Sequence, residues 1–116
     1  MAIDVISADR PDALTCPVEA TARIVSGKWT LVLLRDLALG PRRFSDLQRS
    51  LGGISPRTLS VRLKALEDTG VLVRSEFPGV PPRVEYHLTD KGDDLLPIVE
   101  AMREYGSRWL AEDPDC

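Results

Sequence analysis

The chain has 116 residues, of which 43% are hydrophobic and 28% are charged, as expected for one globular domain with a small core. Charged residues interrupt every apolar stretch, which excludes a membrane-spanning helix. The net charge is −3, yet residues 42–88 carry eight Lys or Arg and five Asp or Glu, so a basic middle lies between acidic ends. Binding to nucleic acid depends on where positive charge lies, so the overall acidity does not exclude DNA.

The start of the chain and its cysteines argue against export, metal binding and catalysis. Residues 1–14 lack the basic start and apolar run of a secretory signal, which predicts a cytoplasmic protein. Cys16 and Cys116 are too few for a disulfide framework, and His87 is the only histidine, so we expect no metal site and no cofactor. The sequence shows neither a paired histidine and nucleophile nor a phosphate-binding loop, and therefore does not indicate an enzyme.

The first half of the predicted domain is helical. A first helix begins at Pro17, which suits a first helical turn, and ends at Gly27. A second, strongly apolar helix is predicted over residues 29–39, and its first residue, a tryptophan, is expected in the core. Gly40 and Pro41 end this helix. The domain and its flanks are predicted as a loose arm at 1–14, the folded domain at 15–112 and an acidic tail at 113–116.

Two further helices follow a short extended stretch at residues 42–44. Ser45 is expected to cap the first of them, which is short. The pair Gly52-Gly53 predicts a turn. Ser55 is a good N-cap for the next helix, because a proline occupies the first helical position after it, and this helix runs to about residue 68.

The last third of the domain predicts a hairpin and a helix. Residues 71–77 and 83–88 alternate like two strands, and the proline-rich segment 78–82 joins them as a stiff loop. Thr89 is expected to cap the last helix, in which Pro97 marks a kink or a fresh start. An apolar stripe on this helix is expected to be buried against a partner helix, which predicts a homodimer. The stripe consists of Met102, Tyr105 and Trp109.

The order of elements indicates the fold class. Two helices joined by a glycine turn and followed by a β-hairpin form the winged helix-turn-helix pattern. The predicted fold is therefore mainly α with a small β-hairpin (α+β), with additional helices at both ends that mediate dimerisation.

The helix that begins after Ser55 has the face of a DNA reader. At about 100° per residue, three leucines lie on one side, while Arg57, Val61 and Lys64 lie opposite and Thr58 and Ser60 flank them. An arginine fork can bind a guanine edge, a valine methyl can touch a thymine methyl, and Ser55 with the first amides of the helix can meet a phosphate. The alternative is an ordinary amphipathic helix with a solvated face.

Other cations are candidates for phosphate contacts. Arg62 lies at the edge of the packed face and either binds a phosphate or pairs with an acidic neighbour. Four more arginines, on the extended stretch and the hairpin, are expected to supply some backbone contacts, although each alone can equally be a solvated surface charge. They are Arg42, Arg43, Arg74 and Arg83. Arg83 can instead enter a minor groove.

An ordered set of motifs resembles a known family. The set comprises Cys16-Pro17-Val18-Glu19, Gly27-Lys28-Trp29, Gly40-Pro41-Arg42-Arg43-Phe44-Ser45-Asp46-Leu47, Ile54-Ser55, Leu59-Ser60-Val61-Arg62-Leu63-Lys64-Ala65-Leu66-Glu67, Gly70-Val71-Leu72, Val80-Pro81-Pro82-Arg83-Val84-Glu85-Tyr86-His87-Leu88-Thr89 and Gly92. With it, the chain resembles the HxlR-type regulators, a branch of the MarR-like winged-helix proteins, over about residues 16–109. The resemblance implies a transcriptional regulator, expected to be a repressor, that binds an inverted-repeat operator in double-stranded DNA as a homodimer. It also implies that the helix after Ser55 reads bases, that the hairpin is the wing, and that the first and last helices form the dimer interface.

Cys16 is a candidate redox-sensing thiol. It precedes the first helix, whose positive end favours a thiolate, although Glu19 opposes this effect. The resemblance implies sensing of an electrophile or oxidant at this place, since several members of the family do so. The alternative for Cys16 is a small buried hydrophobe. Cys116 is expected to be a bystander rather than a resolving thiol. For the whole chain, the alternative function is a winged-helix module that binds protein and not DNA.

Overall fold

The computed structural model describes residues 16–110, apart from the side chain of Lys28. The predicted arm, the acidic tail and Cys116 lie outside the described residues. The described part contains six helices and three strands in the following order: α1 (Pro17–Val25), α2 (Lys28–Leu37), β1 (Arg42–Arg43), α3 (Phe44–Ser50), α4 (Pro56–Asp68), β2 (Leu72–Phe77), β3 (Arg83–Leu88), α5 (Asp90–Asp93) and α6 (Leu96–Trp109).

The sheet has three antiparallel strands in the order β1-β3-β2, rather than the two strands that the sequence predicted. β2 and β3 form the expected hairpin, with Leu72 opposite Leu88 and Phe77 opposite Arg83. The added strand is the short extended stretch, in which Arg42 pairs with Tyr86. Two residues are too few to show an alternating pattern, and their partner lies more than forty residues away, so local sequence could not indicate this pairing.

The core is built from leucines of α2, α3 and α4 and from the start of β2. The largest fully buried side chains are Leu33, Leu34, Leu47, Leu59, Leu63, Val71 and Leu72. α2 contributes two of them and contacts α3, α6 and β3, which confirms its predicted central position. Trp29 is partly buried and packs against this core, as expected. The core therefore fixes α4 by its leucine side and leaves its opposite side to solvent.

One of the two predicted serine caps is confirmed. The Ser55 side chain accepts a hydrogen bond from the backbone N–H of Thr58 at 3.1 Å, and α4 begins one residue later. The prediction for Ser45 is wrong, because α3 begins at Phe44 and Ser45 lies within its first turn. Asp46 takes the capping role instead, since its carboxylate accepts from the backbone N–H of Arg43 at 3.1 Å.

The last helical region is divided at the predicted proline. Thr89 caps the short helix α5, and α6 then starts afresh with Pro97 in its first turn. The apolar stripe of α6 is exposed in the single chain, with Tyr105 at 62% and Trp109 at 67%, so the expected burial does not come from the chain itself. None of the helices within residues 16–110 has the length and apolar character needed to cross a membrane.

Candidate nucleic-acid interface

The start of α4 is a tight, hydrogen-bonded corner. α3 ends in the turn at Leu51–Gly53, and Ile54 donates a backbone hydrogen bond to Leu51 at 3.0 Å. The hydroxyls of Ser55 and Thr58 lie 2.9 Å apart, with that of Ser55 donating. These contacts hold the first turn of α4 in place while leaving Ser55 exposed, which is the geometry that a phosphate contact at a helix start requires.

The outer face of α4 carries the predicted mixture of cation, hydroxyl and methyl. Arg57, Ser60, Val61 and Lys64 are all exposed, and the buried side is formed by leucines alone. Val61 is 57% exposed, although an apolar side chain gains nothing from facing water. We name these four residues the α4 outer face. It presents side chains that can contact base edges in a major groove.

The cations of α4 differ in their surroundings. Lys64 pairs with Asp68 across one helical turn at 3.3 Å. Within the described residues, the Arg57 guanidinium has no hydrogen bond or ion pair. The exposed ion pair between Lys64 and Asp68 is weak, about 0.2–1 kcal/mol, so it competes little with a contact between Lys64 and DNA.

Arg62 points away from the α4 outer face and toward the turn between α1 and α2. A Cβ atom placed on Gly27 would lie 3.7 Å from the nearest guanidinium nitrogen of Arg62. The acidic neighbour considered for it does not appear among residues 16–110, where its guanidinium has no ion pair or hydrogen bond. A phosphate contact by Arg62 stays a prediction.

The sheet separates the four arginines outside α4 into two pairs. Arg42, Tyr86 and Arg74 are directly opposite one another across the three strands, and directly opposite residues share a face of the sheet. Arg43 and Arg83 lie on the other face, since Arg43 is one residue from Arg42 and Arg83 is three residues from Tyr86, and an odd offset along a strand reverses the face. Arg42 and Arg43 are adjacent in β1 and therefore point to opposite faces of the sheet.

In the wing, two neighbouring side chains hold Arg83. Arg83 forms an ion pair with Glu85 at 3.2 Å, and its guanidinium carbon lies 4.8 Å from the centre of the Phe77 ring. Arg74 is exposed and lies 4.0 Å from a carboxylate oxygen of Glu76. Both wing arginines thus have acidic neighbours that a DNA phosphate would have to displace or share.

A polar recess surrounds Arg42, which sequence reasoning did not anticipate. It has a volume of about 400 Å³ and is lined by Asp36, Arg42, Asp46, Arg49 and Ser50. Asp36 is buried and accepts a hydrogen bond from the Ser50 hydroxyl at 2.8 Å, while its second carboxylate oxygen is buried and has no hydrogen-bond partner among residues 16–110. The backbone N–H of Arg43 and the guanidinium of Arg49, 2.7 Å from the carboxylate, hold the pKa of Asp46 below its usual value.

The far end of α4 is bonded directly to α5. The Thr89 hydroxyl donates to the Gly70 carbonyl at 2.6 Å, and the Lys91 ammonium donates to the Thr69 carbonyl at 2.6 Å. A Cβ on Gly92 would approach the Val71 carbonyl oxygen to 2.2 Å, so only glycine fits there. We name these contacts the α4–α5 junction. They connect the C-terminal end of α4, the candidate helix for reading DNA bases, to α5.

Cys16 is exposed and immediately precedes α1. Its carbonyl accepts from the backbone N–H of Ala20 at 2.9 Å, whereas its side chain makes no capping hydrogen bond. The alternative of a small buried hydrophobe is therefore wrong for the single chain. Within residues 16–110, no three His, Cys, Asp or Glu side chains are grouped as a metal ion would require.

The comparisons with known proteins agree with this geometry. The model of the family described as HxlR-like helix-turn-helix matches residues 24–114. The chain belongs to the HxlR-like helix-turn-helix family. Its curated relatives include an uncharacterized HTH-type transcriptional regulator of Synechocystis, 40% identical over 98 residues that cover 84% of this chain and 73% of the relative. This HxlR-like protein is thus a DNA-binding transcriptional regulator and not an enzyme.

Two solved structures resemble the fold of this HxlR-like protein. One is the redox regulator HypR in its reduced form, with a TM-score of 0.77 and 39% identity over 80% of this chain and 92% of that chain. HypR has also been solved in its oxidized form. The other is diamide-treated YodB from B. subtilis, with a TM-score of 0.71 and 28% identity over 85% of this chain and 99% of that chain. Because the two similarities cover 80% and 85% of this chain, they support the winged-helix fold over most of the domain.

Proposed function

We propose that this protein represses transcription by binding an inverted-repeat operator as a homodimer. In this proposal α4 lies in the major groove, and the β2–β3 hairpin is the wing that contacts the flanking backbone or minor groove. Base contacts come from the α4 outer face, with Ser55 and Thr58 at the phosphate nearest the helix start. Arg42, Arg43, Arg62, Arg74 and Arg83 are the candidates for backbone contacts.

One observation carries the proposal: the α4 outer face is exposed and combines Arg57 and Lys64 with Ser60 and Val61. A module that binds protein through this helix would be expected to present an apolar or acidic face instead. Major-groove binding needs cations for guanine or phosphate, a hydroxyl for either, and a methyl for thymine. The same helix is rigidly seated by its three buried leucines, so its outer side chains are held in a fixed orientation.

The test is a mobility-shift assay with the region upstream of the protein's own gene. We expect a discrete complex that resists excess nonspecific DNA and that loses affinity steeply with salt. An unrelated fragment of equal length is the matched control. Equal affinity for both fragments would contradict sequence-specific binding, and failure to shift either fragment would favour the alternative module that binds protein and not DNA. Transcription in vitro from the bound promoter then separates repression from activation.

A second function, redox sensing through Cys16, is favoured by the exposure of that thiol at the start of α1. The similar protein HypR is a redox regulator with reduced and oxidized structures. α1 has no buried residue and Val18 on it is 77% exposed, so α1 is free to pack on a second protomer. Modification of the Cys16 thiol at such an interface by an electrophile, or its oxidation by an added oxidant such as diamide, would alter the angle between the two α4 helices of the dimer and release DNA.

The experiment for this function compares operator binding with and without diamide. We expect diamide to weaken DNA binding of the wild type and to leave Cys16→Ser unaffected. Cys116→Ser is the matched control and should respond like the wild type. If the wild type binds equally well with diamide, or if Cys16→Ser loses binding to the same extent, Cys16 is not the sensor.

A further inference from the structure

A second recess borders the side of α4 that carries Arg62 and Thr69, away from its outer face. It has a volume of about 200 Å³, which corresponds to roughly seven water molecules in the liquid. Its walls come from the end of α1, the following turn, α2 and the second half of α4. The lining residues are Arg23, Ile24, Ser26, Thr30, Arg62, Ala65, Leu66 and Thr69. We name it the α1–α4 cavity.

The charges of the α1–α4 cavity are both positive. Arg23 forms an ion pair with Glu19 across one helical turn. The 3.7 Å between its guanidinium nitrogen and the carboxylate oxygen is too long for a hydrogen bond. Arg62 is half-buried, and its guanidinium has no hydrogen bond or ion pair within residues 16–110. Arg62 is thus the cavity cation without a protein partner among the described residues, and it is the stronger attachment point for an anion.

The remaining walls are aliphatic, and the hydroxyls of Ser26 and Thr69 already donate to backbone carbonyls. Ile24, Ala65 and Leu66 supply methyl and methylene surface, and the described lining residues include no aromatic ring. The Thr69 hydroxyl donates to the carbonyls of Ala65 and Leu66 at 3.2 and 3.1 Å. A phosphate would leave its outer oxygens against hydrocarbon, whereas a carboxylate with a short chain satisfies the guanidinium and the apolar wall together.

We propose that the α1–α4 cavity binds a small aliphatic carboxylate, with its head group on Arg62 and its chain against Ile24 and Leu66. A six-carbon acid matches the volume. The bound acid would bridge α1 and the reading helix and thereby set their relative position. Its effect on DNA rests on the function proposed above, while its binding to the free protein does not.

Calorimetry with hexanoate tests the binding step on the full chain without DNA. We expect saturable binding of hexanoate and none of hexanamide, its neutral counterpart. Arg62→Gln should weaken hexanoate binding by about tenfold or more, because a charged hydrogen bond is lost. Arg49→Gln is the matched control, since Arg49 is an exposed arginine outside the cavity, and its hexanoate affinity should equal that of the wild type.

A cavity-filling variant tests whether hexanoate binding depends on the free space in the α1–α4 cavity as well as on the charge of Arg62. Ala65→Leu retains the guanidinium and a good helix former but places a larger side chain in the cavity, so hexanoate binding should be lost. Circular dichroism of each variant confirms folding. Three outcomes would overturn the proposal: no saturable hexanoate binding at millimolar concentration, equal binding of hexanamide, or unchanged affinity in Arg62→Gln.

A DNA arm distinguishes the small acid from a DNA phosphate as the anion that Arg62 binds. We expect saturating hexanoate to change operator affinity by roughly fivefold or more in the wild type and not in Arg62→Gln. Loss of operator affinity in Arg62→Gln without any hexanoate binding would assign Arg62 to a phosphate and reject the cavity as a ligand site. Failure of the protein to bind any operator would leave the calorimetric result standing.

Discussion

Arg57 and Lys64 share the α4 outer face, but only Lys64 has a partner, Asp68, among the described residues. An exposed arginine with five unengaged donors loses little on docking against a guanine edge. Lys64 must divide its charge between Asp68 and the DNA. Arg57 is therefore the residue from which we expect base discrimination, and Lys64 the one from which we expect general attraction.

The first prediction concerns Arg57→Ala. Specific operator binding should weaken by about 1–3 kcal/mol, and discrimination should relax at one operator position, because one bidentate base contact is lost. Fluorescence anisotropy with a set of singly substituted operators measures both effects. Arg49→Ala, which removes an exposed arginine outside this face, should bind the operator like the wild type. Unchanged affinity of Arg57→Ala for the native operator would reject its role.

The second prediction concerns pH and Asp46. Its pKa lies below the ordinary value because of the Arg43 backbone N–H and the Arg49 guanidinium. A carboxyl whose pKa is lowered by folding stabilises the protein above its unfolded pKa, and this contribution is lost as pH falls through the folded pKa. The stability gap between wild type and Asp46→Asn should therefore be full at neutral pH and shrink as the pH falls through and below 3.8, the ordinary pKa of an aspartate. Urea unfolding across this range measures it, and a gap independent of pH would contradict the assignment.

Individual site residues were predictable to different degrees. Ser55 and the α4 outer face follow from helical periodicity and capping rules, which act over a few residues. The surroundings of Arg42 and Arg62 did not follow, because Asp36 and Gly27 approach them only through tertiary packing. The capping role of Asp46 also escaped, since two candidate residues lay within one helical turn.

At the scale of elements, the wing acts as a unit in which Arg83 is shared between Phe77 and Glu85. These two contacts hold the guanidinium beside the proline-rich loop and so reduce the entropy lost on docking. They also neutralise part of its charge. The two contacts therefore weaken the electrostatic attraction between Arg83 and DNA but fix the position of its guanidinium.

The third prediction tests this balance with two variants. Arg83→Ala should lower affinity nearly equally for all DNA sequences and reduce the salt slope by about one, because one phosphate contact is lost. Glu85→Gln should raise affinity, since it removes the carboxylate that competes for Arg83. Titrations at several salt concentrations measure both. An unchanged salt slope in Arg83→Ala would mean that Arg83 does not contact phosphate.

The α4–α5 junction is the element pair most sensitive to substitution. In the fourth prediction, Gly92→Ala destabilises the protein by about 1–3 kcal/mol, because the added Cβ would lie 2.2 Å from the Val71 carbonyl oxygen. Gly52→Ala is the matched control, since a Cβ there meets nothing within 4 Å. Urea unfolding of the two variants gives the difference. If the two variants are equally stable, the α4–α5 junction accommodates the added Cβ atom without loss of stability, and the prediction is wrong.

The prolines and glycines explain why most element boundaries were predictable. Pro17, Pro56 and Pro97 each lie in the first turn of a helix, and Gly70 follows the end of α4. These residues act locally, through their own backbone preferences. The third strand of the sheet did not follow from such preferences, because a two-residue strand exists only through its pairing with β3.

At the scale of the whole molecule, the two sides of α6 have different roles. Leu95 and Val99 pack against the core, while Ile98, Met102, Tyr105 and Trp109 follow at helical spacing on a separate, exposed side. The sequence predicted that Met102, Tyr105 and Trp109 meet a partner helix, and the chain itself leaves all three exposed. Their burial by a second protomer stays a prediction, and removal of this apolar surface from water would drive it.

The last prediction is that this stripe closes a homodimer. Large apolar side chains in a row on one exposed helix face mark an interaction surface, and α1 offers a second uncovered face. A twofold pair of protomers would set two α4 helices about 34–36 Å apart, one turn of DNA between half-sites. Tyr105→Glu places a charge in that interface, so sedimentation at micromolar concentration should show monomers, and operator affinity should fall because one half-site is lost. Glu104→Gln, on the opposite side of α6, should remain dimeric. A monomeric wild type under the same conditions would contradict the dimer and, with it, the reading of an inverted repeat.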